Sequence, residues 1–335
     1  MDTLREFRLI EQLFTRRTKR RDDVLLGIGD DAAVTRLLSN DSGAVDDDLV
    51  TTTDMLLEGT HFLPDAAPRS VGYRSLAVNL SDIAAMGATP LWASMALSLP
   101  AVDGLWLDEF AAGFFSLADT HNVELIGGDT VRGPLSISVT VQGRVPRGQA
   151  IKRSGAATGD LLYVTGEPGA AAAGRLLLSE GSCSDVPSED MQRLLHKFLY
   201  PEPRLQAGQE LRSFASAMID VSDGLHADLE HLLAASDKGA VLDVNELCLV
   251  GVVDAGEDGF FTRAQAIELA LCGGEDYELL FSVPPQHVAQ VHELAEGWSC
   301  RLACIGVVTE TGGAQWRKDD EPYAVPVSGY QHFDE

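Results

Sequence analysis

The sequence predicts an α/β (α+β) fold in two domains, and three observations carry that expectation. The chain has 335 residues, enough for two cores. Short strand-like runs alternate with longer helical patterns along its whole length. A stretch rich in glycine, basic residues and turn formers, "RVPRGQAIKRSGAATGD" at 144–160, separates two such series. The expected division is 1–148 and 149–335.

In the first domain, residues 3–16 read as an amphipathic helix: Thr3 and Glu6 suit a capping box, and Phe7, Ile10, Leu13 and Phe14 form the apolar stripe. Strands are expected at 24–28 and 48–53. A helix at 70–86 would be capped by Ser70 and closed by Gly87 and Pro90. Then come a strand at 91–98, a helix at 107–120, a strand at 123–126 and an alternating strand at 135–145, where Ile137, Val139 and Val141 share a face. In the second domain the pattern predicts strands at 161–165, 216–221, 240–244, 277–283 and 301–308. Helices fall at about 168–179, 189–199, 204–214, 224–235, 262–271 and 285–296.

Charge and composition exclude several function classes. Acidic residues number 51 against 25 basic ones, a net charge of −26, which argues against a nucleic-acid partner or an anionic membrane surface. No apolar run approaches the roughly 18–20 residues of a membrane span, and residues 1–21 carry charges throughout with no signal core. Five cysteines, an odd count, point to reduced thiols and a cytoplasmic protein. Cys300 and Cys304 have no histidine pair nearby, which speaks against zinc.

The segment "VLLGIGDDAAV" (24–34) superficially fits a dinucleotide fingerprint, with Asp48 or Asp54 as the later acid. That motif needs a long helix directly after its glycines. Here residues 32–38 are short and run into the turn Ser39-Asn40-Asp41-Ser42-Gly43, so a hairpin is expected. Asp30 and Asp31 would also repel a bare pyrophosphate. Mg²⁺ resolves the conflict, because it takes hard oxygen ligands and holds phosphates in turn. Further acids stand at strand ends or inside helices: Asp54 in "VTTTDMLLEGTHF", Asp82 in "AVNLSDIAAMGA", Asp129 in "ELIGGDT", Asp220 and Asp223 in "MIDVSDGL", Glu275 and Asp276 in "LCGGEDYELLF". Any one of them could be a cap or turn residue; the set points to a metal-rich phosphate site. No P-loop lysine motif, no HRD with DFG and no EF-hand spacing occurs.

In order, "GIGDDAAV", "TTTDMLLEGTHF", "AVNLSDIAAMGATP", "LIGGDT", "IKRSGAATGD", "DVSDGL", "GGEDYELLF" and "GYQHF" resemble the thiamine-monophosphate kinase family, within the aminoimidazole-ribonucleotide synthetase superfamily. The resemblance spans Phe7 to Phe333; "DVSDGL" departs from it only in having Val where the family often has Ile. It implies a two-domain fold of that superfamily, with an N-terminal α/β domain forming the dimer sheet and a C-terminal α/β domain completing the site. It implies ATP-dependent phosphorylation of thiamine monophosphate to thiamine diphosphate, several Mg²⁺ ions and a homodimer. Carried over residue by residue, Asp30, Thr52, Thr53, Asp54, Asp82, Asp129, Asp220 and Asp223 match metal positions. Gly128, Asp129, Arg153 and Ser222 match ATP positions, and His61, Glu275 and Tyr330 match substrate positions. Arg153, Asp54 and Asp129 are the expected catalytic residues; Asp31 is left as a turn or dimer-contact residue.

The chemistry suits these residues. The acceptor is a phosphate oxygen, largely ionised at neutral pH because its second pKa is about 6, so no side-chain base is required. What remains is alignment and charge neutralisation. Of the superfamily relatives, selenophosphate synthetase would need a reactive cysteine near the N-terminus, whereas the first here is Cys183. The hydrogenase-maturation protein would need a C-terminal cysteine, whereas this chain ends Phe-Asp-Glu. A magnesium–nucleotide sensor without turnover stays open as the alternative.

Overall fold

The computed structural model describes residues 24–27, 29–36, 47–179, 188–249 and 261–326. The expected helix at 3–16 lies outside them, as does Tyr330. The hairpin expected at "GIGDDAAV" forms: β1 (Val24–Leu26) pairs antiparallel with β2 (Ala33–Thr35), Val24 opposite Thr35. Then follow β3 (Asp47–Leu57), α1 (Pro68–Ala85), β4 (Thr89–Leu99), α2 (Gly104–Thr120), β5 (Glu124–Arg132) and β6 (Ser136–Pro146). They make a six-stranded sheet in the order β1-β2-β3-β6-β4-β5, in which only β4 and β5 run parallel.

A second sheet starts at β7 (Leu161–Thr165). After it come α3 (Ala170–Ser179), α4 (Glu189–Leu199), α5 (Leu205–Leu211), β8 (Ala217–Val221), α6 (Leu225–Ser236), β9 (Gly239–Asp243), α7 (Arg263–Cys272), β10 (Glu278–Val283), α8 (Val288–Ala295), β11 (Leu302–Thr309), β12 (Ala314–Lys318) and β13 (Glu321–Pro322). The order is β13-β12-β9-β11-β7-β10-β8, with β12 parallel to β9 and the remaining pairs antiparallel. Strands β8 and β10 are buried along their whole length, as sheet strands covered on both faces should be.

Helix α1 joins the two halves. Fourteen of its residues are buried, among them Leu76, Leu80 and Ile83 at 0% exposure. A helix buried all round sits inside the protein, not on its surface: α1 packs on β3 and β6 of the first sheet, on α2, and on α5 and β8 of the second half. The α1–α2 crossing is close. A Cβ on Gly72 would stand 1.9 Å from the Phe110 carbonyl oxygen, and one on Gly113 the same 1.9 Å from that of Arg69.

Several sequence expectations need correction. Strand β3 runs to Leu57, not 53, so Asp54 lies inside a strand. Strand β5 runs to Arg132, so Asp129 lies inside it as well. Ser70 does not cap α1; Ala67 is the N-cap, Pro68 opens the helix, and the Ser70 hydroxyl donates back to the Ala67 carbonyl at 2.8 Å. The helix expected at 285–296 begins with a 3₁₀ turn at Pro285–His287. Strand β12, "AQWRK", carries too short a pattern to be foreseen.

Candidate active site

Period-2 alternation along β3 turns Val50, Thr52 and Leu56 inward and Thr53, Met55 and Leu57 outward. Thr52 Oγ1 donates to Asp82 Oδ2 of α1 at 2.5 Å, and the Asp54 amide donates to the Asn79 side chain at 3.1 Å. One residue before Asp82, Ser81 Oγ donates to Asp220 Oδ2 of β8 at 2.6 Å. Asp31, in the hairpin turn, completes the cluster: carboxylate oxygens of Asp31, Asp82 and Asp220 lie within 4.8 Å of one another. Asp31 Oδ1 accepts from Arg153 Nη2 at 2.8 Å, while its Oδ2 is buried without a hydrogen-bond partner among the described residues. Asp30 turns aside and accepts the Arg153 amide, 3.3 Å from each carboxylate oxygen.

Burial dominates the electrostatics here. It pushes Asp82 and Asp220 well above the usual carboxylate range; neighbouring acids add to it, Asp54 first for Asp82 and Asp31 first for Asp220. Asp54 rises to about 6 through burial, then the charges of Glu275 and Asp223. Asp30 also rises to about 6, through burial and then Asp31. The guanidinium of Arg153 is pushed above its ordinary value because the acids around it, Asp31 foremost, outweigh its burial.

The wall opposite is the loop after β8. Asp228, in the first turn of α6 and buried, accepts the Ser222 and Asp223 amides at 3.0 and 3.1 Å. Glu275 and Tyr277 are held in the left-handed region, φ 74° and 52°, by amide bonds to the Ser222 and Val221 carbonyls at 2.7 and 2.8 Å. Such backbone persists where its surroundings over-determine it. The Glu275 carboxylate meets the Arg74 guanidinium and accepts from the Tyr277 hydroxyl at 3.0 Å. Arg74 also donates to the His61 carbonyl at 3.0 Å, and the His61 ring accepts the Leu57 amide through Nδ1 at 3.0 Å.

The structure thus gathers Asp30, Thr52, Asp54, Asp82, Arg153, Asp220, Ser222, Asp223 and Glu275 where the hairpin turn, β3, α1 and the loop after β8 meet, with His61 tied in through Arg74. It does not bring Thr53 or Asp129 there. The Thr53 hydroxyl points to the opposite, exposed face and bonds Thr140 at 2.8 Å. Gly128 and Asp129 lie on the exposed edge strand β5, three strand positions from β3, or about 14 Å. The expectation also gave Asp30 the place in the acid cluster, whereas geometry puts Asp31 there.

Sequence reasoning missed three residues. Asp31 was hidden by its twin. Arg74 stood as a lone cation in the apolar run "SLAVNLSDIAAMGA" and its approach, a signal of a paired buried charge. Asp228 follows Asp223 at the distance of a first helical turn, a signal legible only once the loop geometry is known.

Comparisons agree with this architecture. Residues 29–145 match the family model for AIR synthase related protein, N-terminal domain, and residues 157–317 the one for its C-terminal domain. Thiamine-monophosphate kinase from Escherichia coli is 43% identical over 329 residues, 98% of either chain. That from Bacillus subtilis is 34% identical, covering 98% of this chain and 99% of its own. Among solved structures, the thiamine-monophosphate kinase from Stenotrophomonas maltophilia superposes with a TM-score of 0.76 at 42% identity, covering 95% of this chain and 98% of its own. AaThiL complexed with AMPPCP and TMP gives 0.80 at 29% identity, covering 99% and 98%. With both domains matched and full-length identity this high, the chain belongs to the thiamine-monophosphate kinase family.

Proposed function

We propose that this protein transfers the γ-phosphoryl group of ATP to thiamine monophosphate, giving thiamine diphosphate. One observation in the site supports this above the others: three acids from a hairpin turn, a buried helix and a buried strand converge, two from the first AIR synthase-like domain and one from the second. The relative whose complex holds AMPPCP, an ATP analogue, together with TMP is consistent with it.

The residues suit Mg²⁺. Asp31, Asp82 and Asp220 present only hard oxygens, and Asp31 Oδ2 is a buried acceptor with no donor among the described residues. Asp54 lies close enough to Asp82, Asp220 and Asp223 to feel their charges, and Asp30 accepts the Arg153 amide beside them. When bound there, Mg²⁺ would supply positive charge against the phosphates of both substrates. Thr52 and Ser81 orient two of the acids by donating hydrogen bonds. Arg153, fixed by Asp31, adds a permanent cation beside them, and Asp228 fixes Ser222 and Asp223 by their amides. The acceptor phosphate is already ionised, so the chain need only align two anions and offset their repulsion. Arg153 and Ser222 are assigned to ATP, and His61, Glu275 and Tyr330 to thiamine monophosphate; Gly128 and Asp129, expected at ATP, stand apart on the edge strand β5.

Residues 1–148 are assigned to ATP and Mg²⁺ binding and dimerisation, residues 149–335 to completing the site, and the protein to the cytoplasm. No helix among the described residues is long and apolar enough to cross a membrane. A homodimer through the first sheet is favoured by Met55, Leu57, Trp92, Ile126 and Val131, all large, apolar and exposed on β3, β4 and β5. Light scattering on the purified protein tests it. Incubation with ATP, Mg²⁺ and thiamine monophosphate, followed by phosphorus NMR, tests the reaction: absence of thiamine diphosphate would refute it, and ATP binding without turnover would favour a sensor.

A further inference from the structure

Arg74 projects from a helix buried nearly throughout, and its own side chain is 3% exposed. Its guanidinium meets groups from three separate segments, the Tyr277 hydroxyl beside Glu275 among them. Nη1 donates to the His61 carbonyl in the loop after β3, Nη2 meets Glu275 in the loop before β10, and the group lies 4.6 Å from the Phe198 ring centroid on α4. Nε has no hydrogen-bond partner among the described residues. Burying an arginine this deeply is costly unless its partners are well placed, so the arrangement ties the His61 loop of one half to the Glu275 loop of the other.

The pair also changes what Glu275 offers. Arg74 and the Tyr277 hydroxyl both meet Oε2. The Glu275 side chain keeps a quarter of its surface, and its Oε1 takes no hydrogen bond among the described residues. A carboxylate already neutralised by a buried guanidinium is a poor counter-ion for a second cation and a good hydrogen-bond acceptor. From this we infer that Arg74 is a positioning residue: it holds Glu275 against the His61 loop so that Oε1 meets thiamine monophosphate as an acceptor for the ring amino group, not as the counter-ion of the thiazolium. This rests on the assignment of the cleft to thiamine monophosphate.

Steady-state kinetics on the full-length protein test it. Arg74→Met is expected to raise KM for thiamine monophosphate about tenfold or more while KM for ATP moves no more than about twofold, and Arg74→Lys, which keeps the charge but loses the fork, is expected to recover part of that loss. A merely structural arginine would weaken both substrates together or lower stability alone. In the wild-type enzyme, an analogue with a neutral thiophene in place of the thiazolium should bind within about fivefold of the substrate, because little charge attraction is lost. A drop of about a hundredfold would make Glu275 the counter-ion and overturn the inference. So would an Arg74→Met enzyme with unchanged KM for thiamine monophosphate, or with both KM values raised equally. If Arg74→Met does not fold, the analogue decides. Failure of the wild type to form thiamine diphosphate would instead overturn the kinase assignment, and this role with it.

Discussion

Replacing Asp220 by Asn is expected to stabilise the metal-free protein while ending its response to Mg²⁺. Asp220 is 4% exposed and shares a space with Asp31 and Asp82, their oxygens within 4.8 Å of one another. At an effective dielectric of about 20, two such charges repel by about 3.5 kcal/mol. The protein can limit that cost by taking up a proton. From the ordinary value of 3.8, protonation at pH 7 costs about 4 kcal/mol, which caps the gain from removing the charge. The Asn oxygen can still accept from Ser81, but it loses the attraction of Arg153, so a net gain of about 1–3 kcal/mol is expected. With an unfolding entropy of about 2.1 cal/mol/K per residue over 335 residues, that corresponds to a Tm rise of about 1–4 °C. Thermal unfolding in chelator, with and without added Mg²⁺, measures both effects. A lower Tm in chelator, or an undiminished Mg²⁺-induced rise in the variant, would refute the electrostatic account of the cluster.

Asp30 and Asp54 titrate at about 6 in the folded protein against an ordinary 3.8, so the folded state holds their protons more tightly than the unfolded one. Their contribution to stability therefore falls as pH rises from about 4 to 6 and is level above that; urea unfolding of the metal-free protein across this range should show a downward slope that is shallower in the Asp30→Asn/Asp54→Asn double variant, where the other raised acids remain. Glu278→Gln removes the buried anion of Arg204, leaving only Glu202 at 2.9 Å, in a site where the Glu278 and Arg204 side chains are 4% and 3% exposed and joined by two 2.6 Å bonds. It should cost about 3–5 kcal/mol, a Tm loss of about 4–7 °C by calorimetry. Gly72→Ala puts a Cβ 1.9 Å from the Phe110 carbonyl oxygen and must push α1 from α2, so a Tm loss of at least about 2 °C or failure to accumulate as soluble protein is expected.

Much of the fold was legible because its strands and helices carry clear periods and its turns carry glycine and proline. Helix α4, expected at 189–199, has those bounds, with Ser188 capping it by a 3.2 Å bond to the Met191 amide. The errors fell where pattern alone is silent. Strand β5 is exposed almost throughout, so no alternation marked its true end at Arg132. In the site, residue types were legible, because acids beside glycine at so many strand and loop positions demand a reason, but orientation was not. Thr52 and Thr53 are chemically alike, and only the register of β3 against β6 decides that one meets Asp82 and the other Thr140. Asp30 and Asp31 differ in the same way, by which of two adjacent carboxylates the hairpin turn aims inward.

Helix α1 shows why the site and the fold cannot be separated here. Its polar residues break an otherwise apolar sequence, and each makes a specific contact. Arg74 holds His61 and Glu275, Asn79 takes the Asp54 amide, Ser81 fixes Asp220, and Asp82 enters the acid cluster. Arg74 and Asp82 are eight residues apart, so they share a side of the helix about 12 Å from each other along its axis. That spacing sets the Glu275 end of the cleft against the acid end on a single rigid element, independent of how the loops at either end are ordered. A binding site for a ring system carrying a phosphate needs its two ends at a constant separation. Burying the helix that spans them, with Ser70, Arg74, Ser75, Asn79 and Ser81 in the interior, provides it, and explains why α1 carries so few of the surface charges found elsewhere in so acidic a chain.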